Sequence, residues 1–109
     1  MKTYTGIRTV AGARVEVQDG DKTYILVHKM RHSPPGLEWG YGGSGPADLA
    51  RSILFDLIGE RGLTPSIYQA FKFDFICEMQ HETWTLTEEE IRAWLKARDF
   101  PLEQDGGVL

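Results

Sequence analysis

The strongest constraint on the fold is the order of the periodic segments along the 109-residue chain. Strand-like patterns occur before residue 29, whereas helical patterns occur after residue 45. A chain with strands first and helices after them favours an antiparallel sheet that carries its helices on one face. We therefore predict one α+β domain over residues 1–100, an antiparallel β-meander of three to four strands with three helices packed mainly on one face. Residues 101–109 are predicted to form a flexible tail.

Three early segments predict the meander. Residues 4–8 form the first strand, and residues 14–18 alternate polar and apolar side chains, as a strand with one solvated face does. Asp19-Gly20 predicts a tight hairpin turn, because both residues tolerate positive φ. Residues 23–28 form a continuous apolar run, which is typical of a strand covered on both faces or nearly so. Residues 84–86 leave a short fourth strand open.

The first helix is predicted to begin after Gly45. Pro46 suits the first helical position, because an N–H there would have no acceptor within the helix. Asp48 in the first turn is expected to complement the positive end of the helix dipole. The apolar positions that follow recur with helical spacing and end at Gly59.

The second and third helices have clear start signals. Thr64-Pro65 begins the second helix by the same logic as Pro46. Phe73 points away from the apolar stripe of that helix, which predicts that a second side is covered. Thr87 and Glu90 form the T-x-x-E pattern of a capping box and begin the third helix.

Charge and cysteine content restrict the classes of partner and location. The formal net charge is −4 with acids and bases mixed along the chain, which argues against a nucleic-acid ligand. Cys77 is the only cysteine, so no intramolecular disulfide can form, and a reducing cytoplasm is the expected location. The N-terminus has no apolar signal segment, and no apolar run approaches the roughly 20 residues of a membrane span.

Residues 39–46, WGYGGSGP, lead directly into the first helix and carry the strongest functional signal. They match G-x-G-x-x-G literally, but the dinucleotide fingerprint needs a βαβ unit, and a second helix follows here. A more general mechanism remains, because a glycine-rich turn at a helix N-terminus offers free N–H groups to a phosphate, carboxylate or sulfate. The alternative is that the glycines serve only tight turns and the flanking aromatic rings pack inward.

We predict a ligand-binding site around this loop. The backbone amides from Gly42 to Gly45 would contact an anion, and Arg31 would neutralise its charge. Trp39 or Tyr41 would stack on a planar ring. The complete set of candidate ligand-binding residues is Arg31, His32, Glu38, Trp39, Tyr41, Gly42, Gly43, Ser44, Gly45 and Asp48.

Metal binding and catalysis have weaker support. Cys77 and His81 lie four residues apart, as two ligands on one side of a helix do, but no further ligand has a recognised spacing. We predict no metal and no cofactor. Ser33 and Ser44 have His32 nearby, yet nothing in the sequence fixes a nucleophile beside a base. We therefore predict no catalytic residue and favour a non-enzymatic protein.

Residues 37–50, LEWGYGGSGPADLA, resemble the signature of an uncharacterised family, domain of unknown function 6166. The resemblance extends to residues 32–34 and 68–72 and to the closing segments 84–86 and 91–95. Members of this family are small proteins of bacteria, archaea and phages. The resemblance implies no activity, but it implies phages and mobile elements as carriers.

Three functional hypotheses follow. The leading one is a non-enzymatic protein that binds an anionic, phosphate- or nucleotide-type ligand at the glycine-rich loop and helix N-terminus. The first alternative is a phage or mobile-element accessory protein that binds and inhibits a host defence protein. The second is a small hydrolase or transferase. The sequence leaves a homo-oligomer open.

Overall fold

The computed structural model describes residues 1–33 and 36–100. Its elements in chain order are β1 (Lys2–Thr9), β2 (Gly12–Asp19), β3 (Lys22–Ile25), α1 (Ser44–Ile58), α2 (Pro65–Phe71), β4 (Thr83–Thr87) and α3 (Glu88–Ala97). A 3₁₀ segment over Gly59–Leu63 joins α1 to α2, and a π-helical segment over Lys72–Ile76 extends α2. Four antiparallel strands and three helices confirm the predicted α+β class. The tail predicted over residues 101–109 lies outside the described residues.

The sheet has the strand order β3-β2-β1-β4, and every neighbouring pair is antiparallel. Tyr4 on β1 pairs with Val17 on β2 and with Leu86 on β4. All three side chains are buried, because alternate residues of each strand point to the face that the helices cover. β4 contains residues 84–86, so the short fourth strand that the sequence left undecided is present.

The hairpin between β2 and β3 is present, but its turn is shifted by one residue from the prediction. Asp19 is paired with Lys22, so Gly20 and Asp21 form the two-residue turn. Gly20 adopts φ +64°, a backbone conformation that a residue without Cβ adopts readily. Asp19 remains in the strand.

The prediction that residues 23–28 form a strand covered on both faces is wrong. β3 ends at Ile25 and lies at the edge of the sheet, where Ile25 is 54% and Val27 69% exposed. Leu26 points inward and is buried. Beyond it the chain turns toward α1, where the N–H of Lys29 donates to Ser52 Oγ at 2.9 Å. An apolar run thus lies at a sheet edge with one face open.

The helix starts follow the sequence with one correction. α1 begins at Ser44 with Gly43 as its N-cap, so Pro46 is its third residue and not its first. Proline is still accommodated there, because the N–H groups of the first turn have no acceptor within the helix. α2 begins at Pro65 after Thr64, as predicted.

α3 begins where the capping-box pattern predicts. α2, however, is not buried on the second side as predicted. The N–H of Glu90 donates to Thr87 Oγ1 at 3.1 Å, and the N–H of Thr87 donates to Glu90 Oε1 at 2.9 Å, which completes the capping box. The prediction that a second side of α2 is buried is wrong at Phe73, whose side chain is 58% exposed. The π-helical segment places Lys72 and Ile76 on its buried side and Phe73 toward solvent.

Asp56 anchors α1 to the sheet. Its carboxylate accepts hydrogen bonds from the hydroxyl groups of Tyr4 and Tyr24, both at 2.8 Å, and from Lys2 Nζ at 3.1 Å. Burial, together with the neighbouring Asp56 carboxylate, raises the pKa of Tyr4 far above its ordinary value, so this hydroxyl stays a donor. α1 is thereby held against β1 and β3.

We expect Gly6→Ala to lower the free energy of unfolding by roughly 1–3 kcal/mol, as overpacking does in well-packed cores. The ring of Trp84 lies directly against Gly6, so a methyl group there would overlap ring atoms. Urea denaturation measures the change. Thr85→Ala, on the exposed face of β4, is the control and should change stability by about 0.5 kcal/mol or less. Equal effects of the two variants would contradict this account of Gly6.

Candidate functional site

A groove of about 540 Å³ opens beside the N-terminus of α1. One wall is the β1–β2 turn with the start of β2, and the other is the chain between His32 and Ser44. Four of the predicted ligand-binding residues line it together: His32, Glu38, Tyr41 and Ser44. The volume lies in the range of roughly 300–1,000 Å³ that small-molecule sites occupy.

Asp48 holds in place the chain segment that forms one wall of the groove. The side chain is fully buried, and its carboxylate accepts hydrogen bonds from the N–H groups of three consecutive residues, Arg31, His32 and Ser33, at 2.9 to 3.2 Å. The ring Nε2 of His28 is its fourth donor, at 2.8 Å. This corrects the prediction that Asp48 complements the helix dipole or contacts a ligand, because its oxygens are occupied in holding the loop on α1.

The ionised form of Asp48 is favoured by these contacts. Burial raises the pKa of Asp48, but the hydrogen bonds from His28 and from the three backbone N–H groups outweigh burial and hold the pKa below its ordinary value. A buried charge therefore fixes the loop, and such a charge is stable only while its donors stay in place.

Arg8 fixes the opposite end of the loop. Its Nε and Nη2 donate to Glu38 Oε1 at 3.1 and 2.7 Å, and Nη2 also donates to the carbonyl oxygen of Trp39 at 3.2 Å. Arg8 is shared between two carboxylates, because its Nη1 also donates to Glu82 Oε1 at 2.8 Å. Arg8 was not among the predicted site residues, because its partners Glu38 and Trp39 lie 30 and 31 residues away and no local pattern connects them.

The two aromatic residues of the loop, Trp39 and Tyr41, differ in burial. Trp39 is only 2% exposed, its indole N–H donates to the carbonyl oxygen of His81 at 2.9 Å, and it meets Trp84 edge-on. It belongs to the core, which corrects its predicted role in stacking on a ligand. Tyr41 is 51% exposed and its ring lies over Gly43 at the rim of the groove.

The residues of the glycine-rich loop differ in whether their backbone N–H groups have hydrogen-bond acceptors. Gly40 adopts φ +90° and its N–H donates to the carbonyl oxygen of Ile76 at 3.0 Å. By contrast, the N–H groups of four successive residues have no acceptor within residues 1–33 and 36–100: Gly42, Gly43, Ser44 and Gly45. These donors lie at the positive end of α1, where unsatisfied amides concentrate.

The remaining candidates do not assemble into catalytic or metal chemistry. Arg31 is exposed and does not line the groove. Ser33 Oγ donates to the carbonyl oxygen of Gly36 at 2.9 Å, while His32 Nε2 bonds to the hydroxyl of Tyr68 at 2.9 Å. In the described part of the chain neither Ser33 nor Ser44 is bonded to a histidine, and no cluster of three or more metal-ligand side chains occurs.

The sheet and its helices form a small α+β fold with a groove of about 540 Å³ at a helix N-terminus. The chain belongs to DUF6166, a family of unknown function, whose family model matches residues 4–97. This match confirms the resemblance noted in the sequence. Searches of curated proteins and of solved structures gave no significant match. Among the described residues, no helix is both long and apolar enough to cross a membrane.

We expect Asp48→Asn to lower the free energy of unfolding at pH 7 by roughly 2–4 kcal/mol, because an amide presents donors to the loop amides that the carboxylate now accepts. The pKa of Asp48 is lowered on folding, so its stabilisation is complete above the unfolded-state pKa of about 3.9 and is lost as pH falls through the folded-state pKa.

Urea denaturation at several pH values measures both effects. The difference between wild type and Asp48→Asn should shrink as pH falls below about 4. Glu78→Gln, at an exposed acid, is the matched control and should alter stability little at any of these pH values. A difference that stays constant with pH would contradict the role of the Asp48 charge.

Proposed function

We propose that this protein is a non-enzymatic binding protein for a small anionic ligand of the phosphate or nucleotide type, held in the groove at the N-terminus of α1. The observation that carries the proposal is the run of four N–H groups from Gly42 to Gly45 that have no acceptor among the described residues. Of these four residues, Ser44 lines the groove together with His32. Several amides at a helix N-terminus bind an anion without any basic side chain.

Charge in the groove is compatible with an anion. Glu38 is the acidic side chain of its lining, and both Nε and Nη2 of Arg8 donate to one of its oxygens. The negative charge of Glu38 is therefore partly offset before a ligand arrives, since Arg8 also pairs with Glu82. The second oxygen, Oε2, has no hydrogen bond among the described residues and can accept one from a ligand hydroxyl or amine.

Tyr41 supplies the aromatic surface that the proposal needs. Half of its side chain is exposed at the rim, and its ring covers Gly43 next to the unpaired amides. A planar base could stack on this ring while a phosphate meets the amides. The proposal thus assigns stacking to Tyr41 alone, since Trp39 is buried. A cytoplasmic location belongs to the same proposal.

A second candidate function has one observation in its favour. Phe73 is 58% exposed and lies against Gly42, so two exposed aromatic rings, Phe73 and Tyr41, flank the glycine-rich loop. Exposed aromatic side chains are typical anchors of protein interfaces. The corresponding proposal is an accessory protein of a phage or mobile element that binds and inhibits a host defence protein.

We expect Ser44→Pro to weaken phosphate binding by about tenfold or more, because it deletes one N–H donor to a charged ligand. Ser44 is the first residue of α1, a position where proline preserves the helix. Ser44→Ala, which keeps the N–H and removes only the hydroxyl, is the matched control and should weaken binding less.

Isothermal titration calorimetry at low salt would use inorganic phosphate and a panel of nucleoside monophosphates, triphosphates and cyclic nucleotides. If no member of the panel binds, or if Ser44→Pro binds as tightly as wild type, the anion-binding proposal is wrong. A ligand that depends on the hydroxyl and not on the N–H would equally remove its basis.

Phe73→Ala distinguishes the two candidates, because Phe73 does not line the groove. We expect it to leave phosphate binding unchanged and to abolish capture of a specific host protein in a pull-down. Val10→Ala, at a fully exposed apolar residue, is the control and should retain that protein. A captured protein that Phe73→Ala still retains would contradict the second candidate.

A further inference from the structure

Lys72 carries a buried charge that lacks an acidic partner. The residue is only 6% exposed at the start of the π-helical segment, and no carboxylate forms a salt bridge with it among the residues that the structure describes. Lysine is rarely buried to this degree without a counter-ion, because an ammonium that leaves water loses strong hydration. The buried ammonium would therefore be stabilised by an anion that reaches it.

The ammonium of Lys72 lies against the glycine-rich loop. Its Nζ donates to the carbonyl oxygen of Gly42 at 3.3 Å and lies 4.3 Å from the centre of the Phe73 ring. An ammonium has three N–H donors, yet this is its sole hydrogen bond within residues 1–33 and 36–100. A buried and unpaired cation thus adjoins the N–H groups from Gly42 to Gly45 that have no acceptor in the same part of the chain.

The position of Lys72 determines which way the Gly42–Gly43 peptide group faces. The carbonyl oxygen and the N–H of this group point in opposite directions, because the peptide is planar and trans. Since the carbonyl oxygen is turned toward Lys72, the N–H of Gly43 points away from Lys72. A hydrogen bond to the carbonyl oxygen also polarises the peptide group, which makes its N–H a stronger donor.

We propose that Lys72 is a positioning residue of the anion site, an inference that rests on the proposed binding function. From behind the loop, its hydrogen bond and its charge hold the N–H of Gly43 toward the ligand, beside the N–H of Ser44 at the start of α1. Lys72 thereby takes the role predicted for Arg31, which is exposed and does not line the groove.

The burial of Lys72 also indicates which class of anion the site prefers. A buried charge is screened by salt much less than an exposed one, so its attraction persists at physiological ionic strength. This attraction grows with the charge of the ligand. A phosphate monoester carries about −1.5 to −2 charges at pH 7, whereas a diester carries a single negative charge. The ligand class is therefore a terminal phosphate monoester.

NMR titration of the full chain with methyl phosphate, a monoester, and dimethyl phosphate, a diester, tests the proposal. The amide signals of residues 42–45 report binding. We expect Lys72→Met to weaken binding of methyl phosphate by about tenfold or more, and binding of dimethyl phosphate by a smaller factor, because the lost interaction is electrostatic. Lys72→Arg keeps the charge and should recover part of the loss. Arg31→Met is the matched control and should bind both esters like the wild type.

Thermal unfolding without ligand separates a binding role of Lys72 from a structural one. An apolar side chain of similar length in place of a buried charge is often neutral or stabilising. We therefore expect the Tm of Lys72→Met to equal or exceed that of the wild type while its affinity for methyl phosphate falls. A side chain that served only to hold the loop would lower Tm when replaced and would weaken both esters by the same factor.

The outcomes distinguish this inference from the function on which it rests. A wild type that binds methyl phosphate while Lys72→Met binds it equally well would overturn the role of Lys72 alone. Equal losses for the two esters, together with a lower Tm, would do the same. A wild type that binds neither ester nor any nucleotide would overturn the anion-binding function, and the inference with it.

Discussion

The buried carboxylate of Asp48 is the contact on which the site depends. A charge that is removed from water is stable only when hydrogen-bond donors replace the water, and here three consecutive loop amides and His28 do so. The loop therefore folds onto α1 with a defined backbone shape. That shape presents His32 and Ser33 to the groove and sets one of its walls.

The groove is assembled from segments that are far apart in sequence. Arg8 on β1 reaches Glu38 and the backbone of Trp39, so the central strand of the sheet positions the loop just before the glycines. The same arginine pairs with the carboxylates of both Glu38 and Glu82. The shape of the groove thus depends in part on one side chain outside the loop.

Much of the fold was predictable, because local signals act within a few residues. The capping box at Thr87 and the start of α2 at Pro65 were predicted correctly, since each depends on the chemistry of one helical turn. The errors share another cause. Ile25 and Phe73 are exposed although cover was predicted for both, because burial depends on which other elements pack against them.

The sequence by itself determined the α+β class, the order of strands and helices, and the glycine-rich entry to α1, because periodicity and turn chemistry act locally. Tertiary structure decided the rest. It placed Trp39 in the core and Tyr41 at the surface, although the two rings are two residues apart. It also joined Asp48 to its loop amides 15 to 17 residues away. Such contacts depend on how α1 packs against the sheet, and a local pattern does not contain that geometry.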